Sequence, residues 1–97
     1  MDPEQAAEDA RLRLAHNVRR LAARKGLTLV QVADFAGVAR PHLERVLALK
    51  AGATIPWVAK VAAAIGVDIT DLLKPIEQQP VRGQRRGKAK PKVPAAK

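Results

Sequence analysis

The fold is decided by residues 38–47, which read Val38-Ala39-Arg40-Pro41-His42-Leu43-Glu44-Arg45-Val46-Leu47. Leu43, Val46 and Leu47 recur at the spacing i, i+3, i+4 and therefore share one face of a helix. The charged and polar side chains fall outside that face. Proline is compatible with a first helical turn, because the N–H groups of that turn have no intrahelical partner. The pattern predicts a short helix that begins after Ala39 and buries one face.

Apolar spacing and capping signals predict four more helices around this stretch. Thr28 is suited to cap a second helix that ends near Ala36, and Gly37 permits the positive φ of a tight helix–helix turn. Thr54 and Gly66 bracket a fourth helix, and Asp68 or Thr70 is suited to cap a fifth. The predicted helices other than 39–48 cover about 8–25, 29–36, 55–65 and a short segment ending at 73.

Composition limits the function classes. The chain has 97 residues, room for one small domain with flanks, and it contains no cysteine and two histidines. A disulfide framework and a thiolate metal site are excluded, and two distant histidines do not indicate zinc, so we expect neither metal nor cofactor. No catalytic triad, nucleotide-binding glycine loop or paired carboxylates appear, which predicts that the chain is not an enzyme. His16 is expected to be a solvated residue.

Charge divides the chain into three segments. The formal net charge is +9, and residues 74–97 contribute +7 of it, from eight basic side chains and one acidic. We predict a flexible acidic segment over 1–10, a folded domain over 11–73 and a basic tail over 74–97. The tail is rich in Lys, Arg, Pro and Ala and poor in large apolar residues, so disorder is expected there.

Membrane segments are not predicted. No apolar run approaches the roughly 20 residues that span a bilayer, and the start of the chain lacks the basic and apolar parts of a signal peptide. The sequence therefore predicts a soluble cytoplasmic protein, associated with the nucleoid if it binds DNA.

The five helices and the glycine turn at residue 37 resemble the lambda-repressor/Cro-like helix-turn-helix family of bacterial and phage regulators, also called the xenobiotic-response-element class. The resemblance covers residues 11–73 and implies a compact all-α domain of five helices that binds double-stranded DNA, commonly as a homodimer. The matching positions are Leu14, Val18, Leu21, Leu27, Thr28, Val32, Ala33, Ala36, Gly37, Val38, Leu43, Val46, Val58, Val61, Ala62, Ile65, Gly66, Val67, Leu72 and Leu73.

In that family the third helix lies in the major groove and its first residues contact base edges. The resemblance therefore implies base contacts from Arg40, Pro41, His42 and Arg45. It also implies phosphate contacts from the start of the second helix and from the loop after the third. The expected phosphate contacts are Thr28, Leu29 and Lys50, to which we add the tail residues Arg82, Arg85, Arg86, Lys88, Lys90 and Lys92 for non-specific binding.

Four positions depart from the family pattern. A polar residue, usually glutamine, is expected at Leu29, and serine or threonine is common at Ala39 as the cap of the third helix. The family also often pairs an arginine at Ala22 with a glutamate at Leu47. Both of these are apolar here, which predicts that packing replaces the ion pair. Losing both partners leaves no buried charge without a counter-charge.

Several side chains have two readings. Glu44 can accept a hydrogen bond from cytosine or form an i, i+4 ion pair with Arg40, and we favour the ion pair. The second helix is unusually apolar, with Leu29, Val30 and Phe35, which indicates either core packing, the reading we favour, or a surface for a partner. Trp57 is expected to be a partly buried packing residue. The possible interface residues are Phe35, Trp57, Leu72 and Leu73.

The favoured function is a sequence-specific DNA-binding transcriptional regulator, a repressor, whose helix 39–48 reads the major groove while the tail adds phosphate contacts. One alternative is a protein-binding adaptor or antitoxin-like module on the same fold. Another is a sequence-independent nucleoid or RNA binder driven by the tail.

Overall fold

The computed structural model describes residues 2–76, and five α-helices form in that range. The predicted all-α fold with five helices is confirmed. Four of the five helices begin where predicted, and the first begins earlier. The helices are α1 (Pro3–Arg24), α2 (Leu29–Ala36), α3 (Arg40–Leu47), α4 (Ile55–Ile65) and α5 (Ile69–Leu72).

The start of α1 corrects the predicted boundary. The helix begins at Pro3, so residues 3–10 are helical turns of α1 and do not form a separate irregular segment. The Asp2 carboxylate accepts a hydrogen bond from the N–H of Gln5 at 2.7 Å. Pro3 and Glu4 follow in the first turn, where a fixed φ and a negative charge are both favourable. This N-terminal signal is present in the sequence and was overlooked.

One hydrophobic core joins all the helices. α1 contacts each of the other four, α2 packs on α4, and α3 packs on α1 and α2. The short α5 closes the core against α1 and α4. The buried apolar residues are Leu14, Ala15, Val18, Leu21, Ala22, Val32, Ala33, Leu43, Val46, Leu47, Val58, Val61, Ala62, Ile65 and Leu72.

The apolar pair Ala22 and Leu47 belongs to this core. Both side chains are buried, Ala22 on α1 and Leu47 on α3. The prediction that packing replaces an ion pair at these two positions is confirmed. The contact between α1 and α3 is therefore maintained by burial of apolar surface.

A buried amide fixes α5 against α1. Asn17 is the one buried polar residue in the described part of the chain, and its Nδ2 donates to the carbonyls of Leu72 and Lys74, both at 3.0 Å. Arg20 Nη2 donates to Asn17 Oδ1 at 3.3 Å. These carbonyl groups at the end of α5 receive no hydrogen bond from within the helix, and the Asn17 amide supplies the missing donor. Apolar periodicity gives no indication of such a polar contact.

Candidate nucleic-acid interface

α3 separates its buried and exposed sides as predicted. Leu43, Val46 and Leu47 are buried with 0%, 3% and 4% exposure. Arg40, Pro41 and Arg45 are exposed, so three of the four predicted base-contact residues are accessible on the surface of α3. No hydrogen bond or ion pair within residues 2–76 engages either guanidinium group. Both can donate to an external acceptor.

His42, the fourth predicted base-contact residue, is half-buried and contacts Trp57 at the start of α4. The ring centroids lie 5.5 Å apart and the rings are perpendicular, an edge-to-face arrangement favoured by aromatic quadrupoles. Trp57 is half-buried and packs against the core, which confirms its predicted packing role. Its Nε1 is buried and has no hydrogen-bond partner within residues 2–76. The imidazole is thus positioned by α4 as well as by its own helix.

The favoured ion pair between Arg40 and Glu44 is wrong. The ion pairs in the described part of the chain lie on α1 and at the end of α5, and none involves these two residues. With arginine N-terminal to glutamate the i, i+4 order is the less favourable one, and an exposed pair gains little against side-chain entropy. Glu44 is exposed and remains available as an acceptor.

The start of α2 carries a capping box that the sequence analysis overlooked. Thr28 Oγ1 accepts from the N–H of Gln31 at 3.1 Å, and Gln31 Oε1 accepts from the N–H of Thr28 at 2.9 Å. The Thr-x-x-Gln spacing is the sequence signal for this motif. The N–H groups of Leu29 and Val30 make no hydrogen bond within residues 2–76. They can donate to a phosphate, whereas the Thr28 hydroxyl already serves as a cap.

The turn between α2 and α3 has the predicted geometry. Gly37 adopts φ 71°, ψ 34°, the left-handed conformation, and its N–H and that of Val38 donate to carbonyls of α2. Ala39 caps α3 in an extended conformation without a side-chain hydrogen bond, as its methyl group requires. α3 therefore follows α2 after three residues.

Lys50 lies in the loop that follows α3, and its side chain is exposed. Its N–H donates to the carbonyl of Arg45 at 2.8 Å, and the N–H of Leu49 donates to Val46 at 3.1 Å. The two bonds form a Schellman motif with Leu49 at φ 65°, a conformation that usually requires glycine. The backbone of this loop is thereby fixed beside the last turn of α3.

The four possible interface residues differ in accessibility. Phe35 is 64% exposed, so the favoured packing role is wrong for it. Leu29 does pack against the core, and Leu73 is half-buried at its edge. Leu72 is fully buried, which removes it from any interface because no surface is left for a partner.

His16 differs from its predicted solvated role. The residue is half-buried on α1, and its Nε2 is buried without a hydrogen-bond partner in the described part of the chain. Residues 2–76 contain no group of three His, Asp or Glu side chains placed to hold a metal ion. Among the same residues no helix is long and apolar enough to cross a membrane.

Solved structures share this arrangement of helices. The crystal structure titled restriction-modification controller protein C.AhdI from Aeromonas hydrophila matches with a TM-score of 0.61 and 21% identity, covering 64% of this chain and 94% of that one. The structure titled hypothetical transcription factor NHTF from Neisseria matches with a TM-score of 0.67 and 28% identity, covering 72% of this chain and 80% of that one. The chain has the lambda-repressor-like helix-turn-helix fold. No protein-family model matches the sequence, and no curated protein matches it either.

In this helix-turn-helix domain, α2 and α3 are the two helices that give the motif its name. The titles of the two structural neighbours describe a controller protein and a hypothetical transcription factor. The predicted tail contacts, from Arg82 to Lys92, lie outside the described residues. A group of basic residues also lies where the end of α1 meets α5, and nothing in the sequence pattern indicates it.

Proposed function

We propose that the protein is a sequence-specific DNA-binding transcriptional regulator that acts in the cytoplasm, on the nucleoid. The observation that supports this best is the exposed side of α3. Arg40 and Arg45 are exposed, while Leu43, Val46 and Leu47 pack α3 into the core. Arginine can bind guanine O6 and N7 with two hydrogen bonds, worth about 1–3 kcal/mol of discrimination per contact.

The proposed complex places α3 in the major groove. Arg40, Pro41, His42 and Arg45 face the bases, with Pro41 limited to apolar contact with a thymine methyl. The free N–H groups at the start of α2 and the side chain of Lys50 bind phosphates on either side. The basic tail adds contacts that depend on charge and not on sequence.

A selection experiment followed by titration tests this proposal. Bound sites are selected from a random DNA pool, and affinity for the best site is measured for Arg40→Ala, Arg45→Ala and Arg19→Ala. Arg19 is an exposed arginine on α1 and serves as the matched control. Each α3 variant should weaken binding by about tenfold to a hundredfold and relax one position of the site. Wild-type affinity for both α3 variants at matched salt would rule out base reading by α3.

The division between domain and tail has its own test. Removing residues 76–97 should reduce the salt dependence of DNA affinity, because fewer counterions are released on binding. The selected sequence should stay the same. A changed base preference would contradict the proposed division of roles.

We further propose that the protein binds a palindromic site as a dimer and represses by occupying it. An apolar groove of about 300 Å³ between α1, α4 and Leu73 supports this, and Ile55 beside it is 68% exposed. A second copy that covers Ile55 and Leu73 would bury both. Sedimentation of the wild type and of Ile55→Lys on and off DNA tests the dimer. A wild type that binds the selected site as a monomer argues against it.

A second candidate function is a protein-binding module. Phe35 favours it, since this large side chain on α2 is 64% exposed and Val30 nearby in sequence is 40% exposed. Co-purification of one stoichiometric protein that resists nuclease and is lost with Phe35→Ala would favour this function over DNA reading.

A further inference from the structure

A basic cleft lies where the second half of α1 meets α5. Its volume is about 430 Å³, and none of its lining residues belongs to α2 or α3. Four of the seven lining residues are cationic and one is acidic, a formal charge of +3 at pH 7. The lining residues are Arg20, Leu21, Arg24, Lys25, Val67, Asp71 and Lys74.

The carboxylate in this cleft is already engaged by residues on either side of α5. Asp71 Oδ1 lies 2.7 Å from Lys74 Nζ, and Asp71 Oδ2 accepts from the N–H of Asp68 at 3.1 Å. In the described part of the chain no ion pair within 4 Å joins Arg20, Arg24 or Lys25 to a carboxylate, and Asp71 acts on Arg20 only at longer range. The Arg20 guanidinium donates to the neutral Asn17 amide, which orients it without neutralising it.

The helix dipole accounts for only part of this charge. Arg24 and Lys25 stand at the C-terminal end of α1, where a positive charge is favourable. Arg20 lies one turn earlier, beyond the reach of that effect. It is also spaced i, i+4 from Arg24, and like charges at this spacing are destabilising. An anion between the two guanidinium groups would convert this repulsion into attraction.

We propose that the cleft binds the phosphate groups of a polyanion. Guanidinium groups match phosphate oxygens with paired hydrogen bonds, and a lysine ammonium adds a point charge. The volume lies in the range of small-molecule sites, about 300–1,000 Å³, and accommodates a diphosphate group. The phosphates can come from a free phosphorylated small molecule or from the DNA backbone beside the site that α3 reads. Lys25 lies three residues before Thr28, which places the cleft close to the proposed phosphate contacts of α2.

The free-phosphate source is tested by nuclear magnetic resonance titration of the full chain with sodium pyrophosphate. The backbone amides of Leu21 and Val67 should shift and saturate. The double variant Arg24→Gln/Lys25→Gln should weaken this binding by about tenfold or more, because two charge-assisted contacts with phosphate are lost. The control Arg19→Gln/Lys60→Gln makes the same charge change with two exposed residues outside the cleft, and it should behave like the wild type.

The DNA source is tested with the same variants, and this arm alone rests on the proposed function. The cleft variant should lower the slope of log affinity against log salt by about 2, and the control should not. Weaker binding by the cleft variant and not by the control, in either experiment, supports phosphate binding in the cleft. The experiment in which the loss appears shows whether the phosphate belongs to a free small molecule or to DNA. Equal behaviour of the two double variants in both arms overturns the proposal, and Arg24→Glu provides a second variant if the first unfolds. If α3 proves not to read DNA, the pyrophosphate titration still tests whether the cleft binds phosphate.

Discussion

α2 and α3 have the same length, eight residues, but their ends are stabilised in different ways. α2 begins with the reciprocal capping box of Thr28 and Gln31 and ends at Gly37 in the left-handed conformation. α3 begins after Ala39, an N-cap whose side chain makes no hydrogen bond, and at its C-terminal end Leu49 takes the left-handed conformation that glycine prefers. Local interactions therefore favour α2 at both ends, whereas α3 lacks a side-chain cap at its start and has leucine where glycine is preferred in the Schellman motif at its end.

The difference shows that α3 depends on the core for its conformation. Three of its eight residues are buried, against two of eight in α2. Helices this short are marginal by themselves, and most of their stability comes from packing one face. Because buried side chains hold α3 in place, its exposed side chains are not needed for its conformation. The residues there can vary without loss of the helix.

The largest expected effect comes from breaking the internal anchor. Leu43→Ala should lower the free energy of unfolding by about 2–5 kcal/mol, because a fully buried leucine leaves a cavity. Arg45→Ala, two residues further on the exposed side, should change it by less than about 0.5 kcal/mol. Urea denaturation of both variants measures this contrast. A small loss for Leu43→Ala would show that α3 is not anchored by its core face.

The difference in capping between the starts of α2 and α3 can be reduced by removing the α2 cap or by adding a cap to α3. Thr28→Ala should destabilise by about 1 kcal/mol through loss of the α2 cap, and Ala39→Ser should stabilise by about the same amount. Ala39 has φ −69° and ψ 130°, an extended conformation in which a serine hydroxyl can accept from the first turn of α3. Thermal denaturation gives both values. No gain from Ala39→Ser would mean that the missing cap costs α3 nothing.

Sequence reasoning succeeded where the determinants are local. Apolar spacing, Gly37 and the capping threonines predicted four helix starts and the turn. It failed at Phe35, because whether an apolar residue on a helix finds a partner depends on which helices pack together. The basic cleft was missed for the same reason, since Arg20 and Lys74 are 54 residues apart in sequence. α5 also begins with a capping box, in which Asp68 accepts from the N–H of Thr70 and Asp71 accepts from the N–H of Asp68. Both capping boxes and the Asp2 cap follow from residue spacing alone.

The C-terminal ends of α2 and α3 can also be compared, because α3 has Leu49 in the left-handed conformation where α2 has glycine. At position 49, with φ 65°, glycine should be more stable than alanine by about 1 kcal/mol, because a Cβ is unfavourable in this conformation. At Glu44, an exposed position inside α3, alanine should be more stable than glycine by a similar amount. Urea denaturation of the four variants tests this reversal of preference. The same order at both positions would contradict the left-handed conformation of Leu49.

The smallest expected effect is a dependence of stability on pH that the α5 cap has and the α2 cap lacks. The α5 cap uses two carboxylates, whereas the α2 cap uses a hydroxyl and an amide. Hydrogen bonds from the Thr70 hydroxyl and then the Thr70 N–H lower the pKa of Asp68 below its ordinary 3.8. Bonds with Lys74 and then Asp68 lower the pKa of Asp71 likewise. The unfolded chain binds these protons more tightly, so the caps stabilise the fold above about pH 4 and cease to do so as the pH falls through the lower folded values.

Thermal denaturation between pH 2 and pH 6 detects this, comparing the wild type with Asp68→Asn and Thr28→Ala. Asparagine still accepts the capping bond but does not titrate, so Asp68→Asn should lose less stability in acid than the wild type. Thr28→Ala should be shifted by a constant amount at every pH, because the α2 cap carries no charge. Parallel acid profiles for the wild type and Asp68→Asn would mean that the charge of Asp68 does not stabilise α5.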